Sequence, residues 1–285
     1  MSFQQFRPAG FSLMPTIVKN LLIVNGLFFL AKMLLGSNYG IDLDHLLGLH
    51  HFDADDFAPY QFLTYMFMHG DIGHILFNMF ALWMFGSSIE NAWGPKRFLI
   101  YYLLTGIGAG AIYLAYVSYD IAALQSMIDR FAISPTPEAF ESFVSKYVPM
   151  ELLRARYPEI AEEITTLIYN LYDNPDNAQY TANANQVMLD FLYLRTNTPN
   201  VGASGSVYGI LLAFGMMFPN VRLFLLFIPI PIKAKYFVIG YGVMELWLGL
   251  QNSPSDNVAH FAHLGGMLVG FILIKIWQKR SNRFI

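Results

Sequence analysis

The sequence predicts an all-α, polytopic membrane protein: a bundle of six transmembrane helices carrying a helical extracytoplasmic insert between the third and fourth. Three observations lead there. Of 285 residues, 55% are hydrophobic and only 13% charged, with a mean hydropathy of +0.41, which is too apolar for an ordinary water-soluble domain. Apolar runs near 16–36, 72–90, 98–118, 204–218, 236–251 and 258–278 approach the roughly 20 residues of a span, the shorter ones suiting helices that begin inside the protein. Lys and Arg gather at alternate connections: Arg7 and Lys19, Lys96 and Arg97, Arg222, Lys233 and Lys235, then Lys279, Arg280 and Arg283. Positive segments stay cytoplasmic, so both termini are expected inside, with Asp42, Asp44, Asp53, Asp55, Asp56 and Asp256 outside.

This divides the chain into 1–118 (tail and spans 1 to 3), 119–200 (insert) and 201–285 (spans 4 to 6 and a cytoplasmic tail). A net charge of −3 without a basic stripe speaks against nucleic-acid binding. The lack of cysteine excludes disulfides, thiolate catalysis and cysteine metal sites.

The first fifteen residues form a short tail, and the apolar run behind them lacks a small-residue cleavage site, so it is expected to stay as span 1. Residues 37–68 mix acidic residues with Leu46, Leu47, Leu49, Phe52, Phe57, Tyr60 and Phe62, a pattern open to an interfacial loop or a solvated connector. Span 2 opens Met68-His69-Gly70-Asp71-Ile72-Gly73-His74 and reaches Asn78. His74 and Asn78 stand four apart, on one helix face. Unpartnered in hydrocarbon, such groups cost a few kcal/mol, which directs them inward. They read either as an interhelical hydrogen-bonding pair or as donors aimed at a developing oxyanion. Glu90, in the turn before span 3, reads as an anchor for a neighbouring loop, and Gly106, Gly108 and Gly110 suit close packing.

In the insert, Ser134-Pro135-Thr136-Pro137-Glu138 is a helix start, and Ile164, Leu167, Ile168 and Leu171 follow amphipathic helical spacing. Residues 173–177 form a turn. Eleven acidic against five basic residues give the insert a charge of −6, consistent with placement outside. Its position before Ser204 suggests a role in substrate access or specificity.

Span 4 opens Gly202-Ala203-Ser204-Gly205-Ser206-Val207-Tyr208-Gly209. Gly205 and Gly209 are a small-xxx-small pair that lets helices approach. Alternatively, Ser204 is a nucleophile at a helix N-terminus, where free N–H groups stabilise an anion. This is not the nucleophile elbow of soluble hydrolases, because Ser206 stands where that motif needs glycine. Pro229 and Pro231 exclude a regular helix through the next connection, and Glu245 in span 5 reads as a hydrogen bond to a neighbouring helix. In span 6, Gly266 and Gly270 make a close-packing face toward span 4, and His263, three residues before Gly266, comes within reach of Ser204. Nucleophile, general base and oxyanion donors are then supplied by Ser204, His263, and His74 with Asn78. With no carboxylate evidently placed to orient His263, a Ser–His dyad is expected, with Tyr208 stacked on the imidazole.

On these residues the chain resembles the rhomboid family of intramembrane serine proteases. His69, His74 and Asn78, then Glu90, Gly202-Ala203-Ser204-Gly205 with Tyr208, and Ala262-His263 followed by Gly266 and Gly270 match the family's order across spans 2 to 6. The insert lies outside the match. The resemblance implies Ser204 and His263 as the dyad, with the Ser204 amide, His74 and Asn78 as the oxyanion hole. It further implies no cofactor or metal, residence in a lipid bilayer, expected to be a bacterial inner membrane, and single-pass membrane proteins as substrates. These would be cut near the outer membrane boundary, after a small residue and before helix-destabilising ones. The family's glycine spacing selects His263 over His260. Two other readings are a catalytically silent rhomboid-like protein that binds membrane clients, and a haem or metal protein built on His69, His74, His260 and His263. No His-Glu-x-x-His motif favours the latter.

Overall fold

The computed structural model describes residues 11–280 apart from 226, 227, 252 and 257, and helices account for most of them. Helix α1 (Thr16–Tyr39) starts behind Pro15 without a side-chain cap of its own. The Glu90 carboxylate instead accepts the Ile17 and Val18 N–H groups at 2.9 and 2.8 Å, supplying from another helix the acceptor that the first turn lacks. Next come α2 (Leu43–Leu47), capped by Asp42, and α3 (Gln61–Thr64), which continues as a 3₁₀ turn over Tyr65–Phe67. Leu49, Tyr65, Met66 and Met68 are buried there, so this stretch is a packed layer and not a loose connector.

Helix α4 (Ile72–Ala81), a π-helical turn (Leu82–Gly86) and α5 (Ser87–Trp93) join into one helical stretch long and apolar enough to cross a membrane. Helix α6 (Pro95–Ile133) opens with proline in its first turn and runs unbroken for 39 residues, about 58 Å at 1.5 Å per residue. The boundary expected at 118/119 therefore falls inside a helix. Hydropathy changes there, but Leu124, Ile128 and Phe131 continue a helical stripe that is buried against the next elements. These are α7 (Pro137–Tyr147), α8 (Met150–Arg156), α9 (Pro158–Asp173) and α10 (Ala178–Asn197). Thr136 caps α7 by accepting the Ala139 N–H at 3.2 Å. Phe140, Phe143, Leu167, Leu171 and Met188 complete a second core, distinct from that of the apolar bundle. An Arg195–Asp120 ion pair of 3.0 Å ties α10 back to α6.

After α11 (Ser204–Met217), β1 (Arg222–Leu225) and β2 (Ile228–Lys233) form an antiparallel hairpin, a departure from a purely α fold. A two-stranded sheet consists only of edges, where Pro229 and Pro231 are tolerated. Helices α12 (Ala234–Gln251) and α13 (His260–Arg280) follow.

Among the described residues, four helices are long and apolar enough to cross a membrane, Thr16–Tyr39, Ile72–Trp93, Pro95–Ile133 and His260–Lys279, and α11 is a shorter apolar one. Leu27, Phe77, Ile239 and Trp247 are exposed on the bundle's outside, whereas α11 is largely enclosed. Such broad apolar exteriors face lipid, and this is a multi-pass membrane protein. At its centre α11 touches α13 backbone to backbone. A Cβ built on Gly266 would overlap the carbonyl oxygen of Gly205, one on Gly205 would strike Ala109, and one on Gly270 would strike the Tyr101 hydroxyl.

Candidate active site

The segment entering α11 is held by the packed layer between α1 and α4. Leu49 and Asn200 exchange N–H···O bonds of 2.8 and 2.9 Å, and the Gly202 N–H donates to the Tyr65 carbonyl at 2.9 Å. Gly202 then takes φ 136°, and a Cβ there would lie 2.8 Å from His74 Nε2, so both conformation and space call for glycine. Ser204 is the first residue of α11, whose opening N–H groups have no acceptor within the helix.

Asp71 positions His74 by capping α4, accepting the His74 N–H at 2.9 Å. That hydrogen bond holds the Asp71 carboxyl below its usual range. His74 Nδ1 accepts the Gly70 N–H at 3.3 Å, which leaves the ring proton on Nε2, the nitrogen beside Gly202. Lys32 of α1 steadies this turn through the carbonyls of His69 and Gly70, at 2.7 and 2.9 Å. His69 is fully buried, edge-on to His74 with ring centroids 5.1 Å apart, and neither of its nitrogens has a hydrogen-bond partner among the described residues. Burial holds its pKa down to about 4. Asn78, also buried, donates to the His74 carbonyl at 3.0 Å, which commits one amide hydrogen to its own helix. No hydrogen bond joins it to Ser204 or His263 among the described residues. Glu90 takes no part in this cluster and caps α1 as described.

Ser204 Oγ lies 2.9 Å from His263 Nε2. Tyr208 stacks on that imidazole, with centroids 4.1 Å apart and planes inclined by 6°. The expectation that no carboxylate orients His263 is corrected by Glu245: its Oε2 lies 2.9 Å from His263 Nδ1 and 2.6 Å from His260 Nδ1, and its Oε1 accepts the Tyr208 hydroxyl. His260 Nε2 in turn lies 2.9 Å from Asp256 Oδ2, and His260 makes no hydrogen bond to Ser204. Glu245, His260 and His263 bring three possible metal ligands within 4.8 Å of one another. The 2.6 and 2.9 Å separations are hydrogen-bond lengths. Neighbouring ligands around tetrahedral zinc stand about 3.3 Å apart, so the array fits shared protons better than an ion.

A model of the rhomboid domain matches residues 56–124 and 179–280. The chain belongs to the rhomboid family. The unmatched residues between hold the end of α6 and all of α7–α9. Rhomboid relatives include RHOMBOID-like protein 12, mitochondrial, of Arabidopsis thaliana, 26% identical over 94% of this chain and 60% of that protein. An uncharacterised mitochondrial rhomboid protein of Schizosaccharomyces pombe is 29% identical over 76% of this chain and 51% of its own length. The Rhomboid protease GluP of Bacillus subtilis is 33% identical over 24% of this chain and 14% of that protein. The chain thus spans only about half to three-fifths of the two longer-matching relatives. Both of these are mitochondrial, so the expected bacterial inner membrane gains no support from them.

Proposed function

We propose that this rhomboid is an intramembrane serine endopeptidase that cleaves single-pass membrane proteins within or beside their transmembrane segment. The observation that carries this reading is the 2.9 Å contact of Ser204 Oγ with His263 Nε2, at a helix N-terminus beside the His74 Nε2–H. His263 takes the Ser204 proton as Oγ attacks the substrate carbonyl, then returns it to the departing amine, and water releases the acyl enzyme by the same route. The Ser204 amide and His74 Nε2 are the donors for the oxyanion, with the second Asn78 amide hydrogen available beside them. Six spans, with α11 and α12 crossing beside the four longer helices, and an insert on the side opposite the Lys- and Arg-rich connections complete the proposed topology.

The test is cleavage of a model single-pass substrate by purified protein, alongside Ser204→Ala and His263→Ala of matched thermal stability. The parent is expected to cut, and each variant to lose several orders of magnitude in rate. A Ser204→Ala protein that cuts like its parent rules out this nucleophile. A folded parent that cuts no membrane substrate leaves client binding as the better reading.

A further inference from the structure

We propose that Glu245 is a positioning residue of this site, so that the Ser204–His263 pair works as a Ser–His–Glu chain braced by His260 and Asp256. The inference rests on the protease reading above. Glu245 is only 3% exposed on an apolar helix, where an unpaired carboxylate is strongly disfavoured. Its oxygens are instead met by three donors: the Tyr208 hydroxyl on Oε1, and both His263 Nδ1 and His260 Nδ1 on Oε2.

The consequence for His263 concerns its proton. A neutral imidazole carries one N–H, and an acceptor at Nδ1 fixes it there, leaving the Nε2 lone pair toward Ser204 Oγ. Without that acceptor, the other tautomer would aim an N–H at the hydroxyl it has to deprotonate. During attack the Oγ–H bond breaks and an Nε2–H bond forms, so the ring becomes a cation 2.9 Å from Oε2. The carboxylate stabilises that cation without itself taking a proton.

The surroundings fit this role. Tyr208 holds the ring plane by stacking and the carboxylate by its hydroxyl, so one side chain aligns both members of the pair. His260 has a carboxylate oxygen on each ring nitrogen, at 2.6 and 2.9 Å, and can donate to both only as an imidazolium. A cation held between Asp256 and Glu245 keeps the buried carboxylate charged.

The test uses Glu245→Gln and Glu245→Asp in the full chain, with Ser204→Ala run alongside. Glu245→Gln is expected to lower kcat between about 10² and 10⁴-fold with KM and melting temperature near those of the parent. Glu245→Asp, which keeps the charge, is expected to recover part of that loss. In ¹⁵N-histidine NMR, His263 is expected to carry its proton on Nδ1 in the parent and to become a tautomer mixture in Glu245→Gln. With Ser204→Ala inactive and the parent active, a Glu245→Gln enzyme at parental kcat overturns this inference alone. Lost activity with unchanged His263 signals also overturns it, since a merely structural tie between α12 and α13 gives that result. If Glu245→Gln does not fold, the parent spectrum decides: a His263 proton resting on Nε2 overturns the proposal.

Discussion

Gly202 shows how narrowly one residue sets the site. Its φ of 136° and the 2.8 Å that would separate an added Cβ from His74 Nε2 leave a side chain nowhere to go. Gly202→Ala is expected to introduce roughly 1–3 kcal/mol of backbone strain. It is also expected to push His74 aside, at a loss on the order of 10²–10³-fold in kcat, the effect of removing one oxyanion donor. Parallel cleavage and melting measurements check this, and unchanged kcat would show that His74 is not aimed at the reacting carbonyl. That Ser204 and His263 come together was legible from short spacings: a serine followed by glycine at the start of an apolar run, and a histidine three residues before a close-packing glycine. Glu245 was not legible as their partner. It lies 18 residues before His263 on another helix, and a lone carboxylate in an apolar run says nothing about which neighbour it faces until the rotation of α12 against α13 is known.

At the scale of elements, the Ser204–His263 distance is a property of the α11–α13 contact, which exists because Gly266 leaves room for the Gly205 carbonyl. Gly266→Ala is expected to force the helices apart, costing about 1–3 kcal/mol through overpacking and abolishing cleavage as His263 withdraws from Ser204. Gly240→Ala on α12, where an added Cβ meets nothing within 4 Å, is the control and is expected to leave stability and cleavage intact. Equal behaviour of the two in melting and cleavage assays would show that close approach of α11 and α13 does not set the Ser204–His263 contact. Helix-forming apolar runs were legible from hydropathy, but two element boundaries were not. Hydropathy registers where a helix becomes polar, not where it ends, so the continuation of α6 to Ile133 through Leu124, Ile128 and Phe131 escaped it. The β1–β2 hairpin is carried by backbone pairing such as Leu223 with Ile232, and its prolines signalled only the loss of helix.

For the whole molecule, the packed layer between α1 and α4 makes stability depend on pH. His50, His51 and His69 all lie buried in it, and burial lowers the pKa of each. His51 shows the neutral form directly: Nδ1 accepts the Asp53 N–H at 3.2 Å, leaving Nε2–H for Ser118 Oγ at 2.8 Å on α6. Each ring therefore binds a proton less readily in the folded chain than in the unfolded one, where histidines titrate near 6.5. Below that value the unfolded chain carries more protons, so stability falls as pH drops and is complete above about 6.5. For His69 the window extends down to about 4. One such group lowers stability by at most about 1.4 kcal/mol per pH unit, or on the order of 2 kcal/mol between pH 6.5 and 5. Thermal unfolding of the purified protein is expected to occur at a lower temperature at pH 5 than at pH 7.5, with part of that difference removed in His69→Gln, which cannot titrate. The parent-minus-variant comparison cancels the carboxylates common to both proteins. An identical pH dependence in the two would mean that His69 is protonated as readily in the fold as in the unfolded chain, and that its burial does not contribute to the loss of stability at low pH.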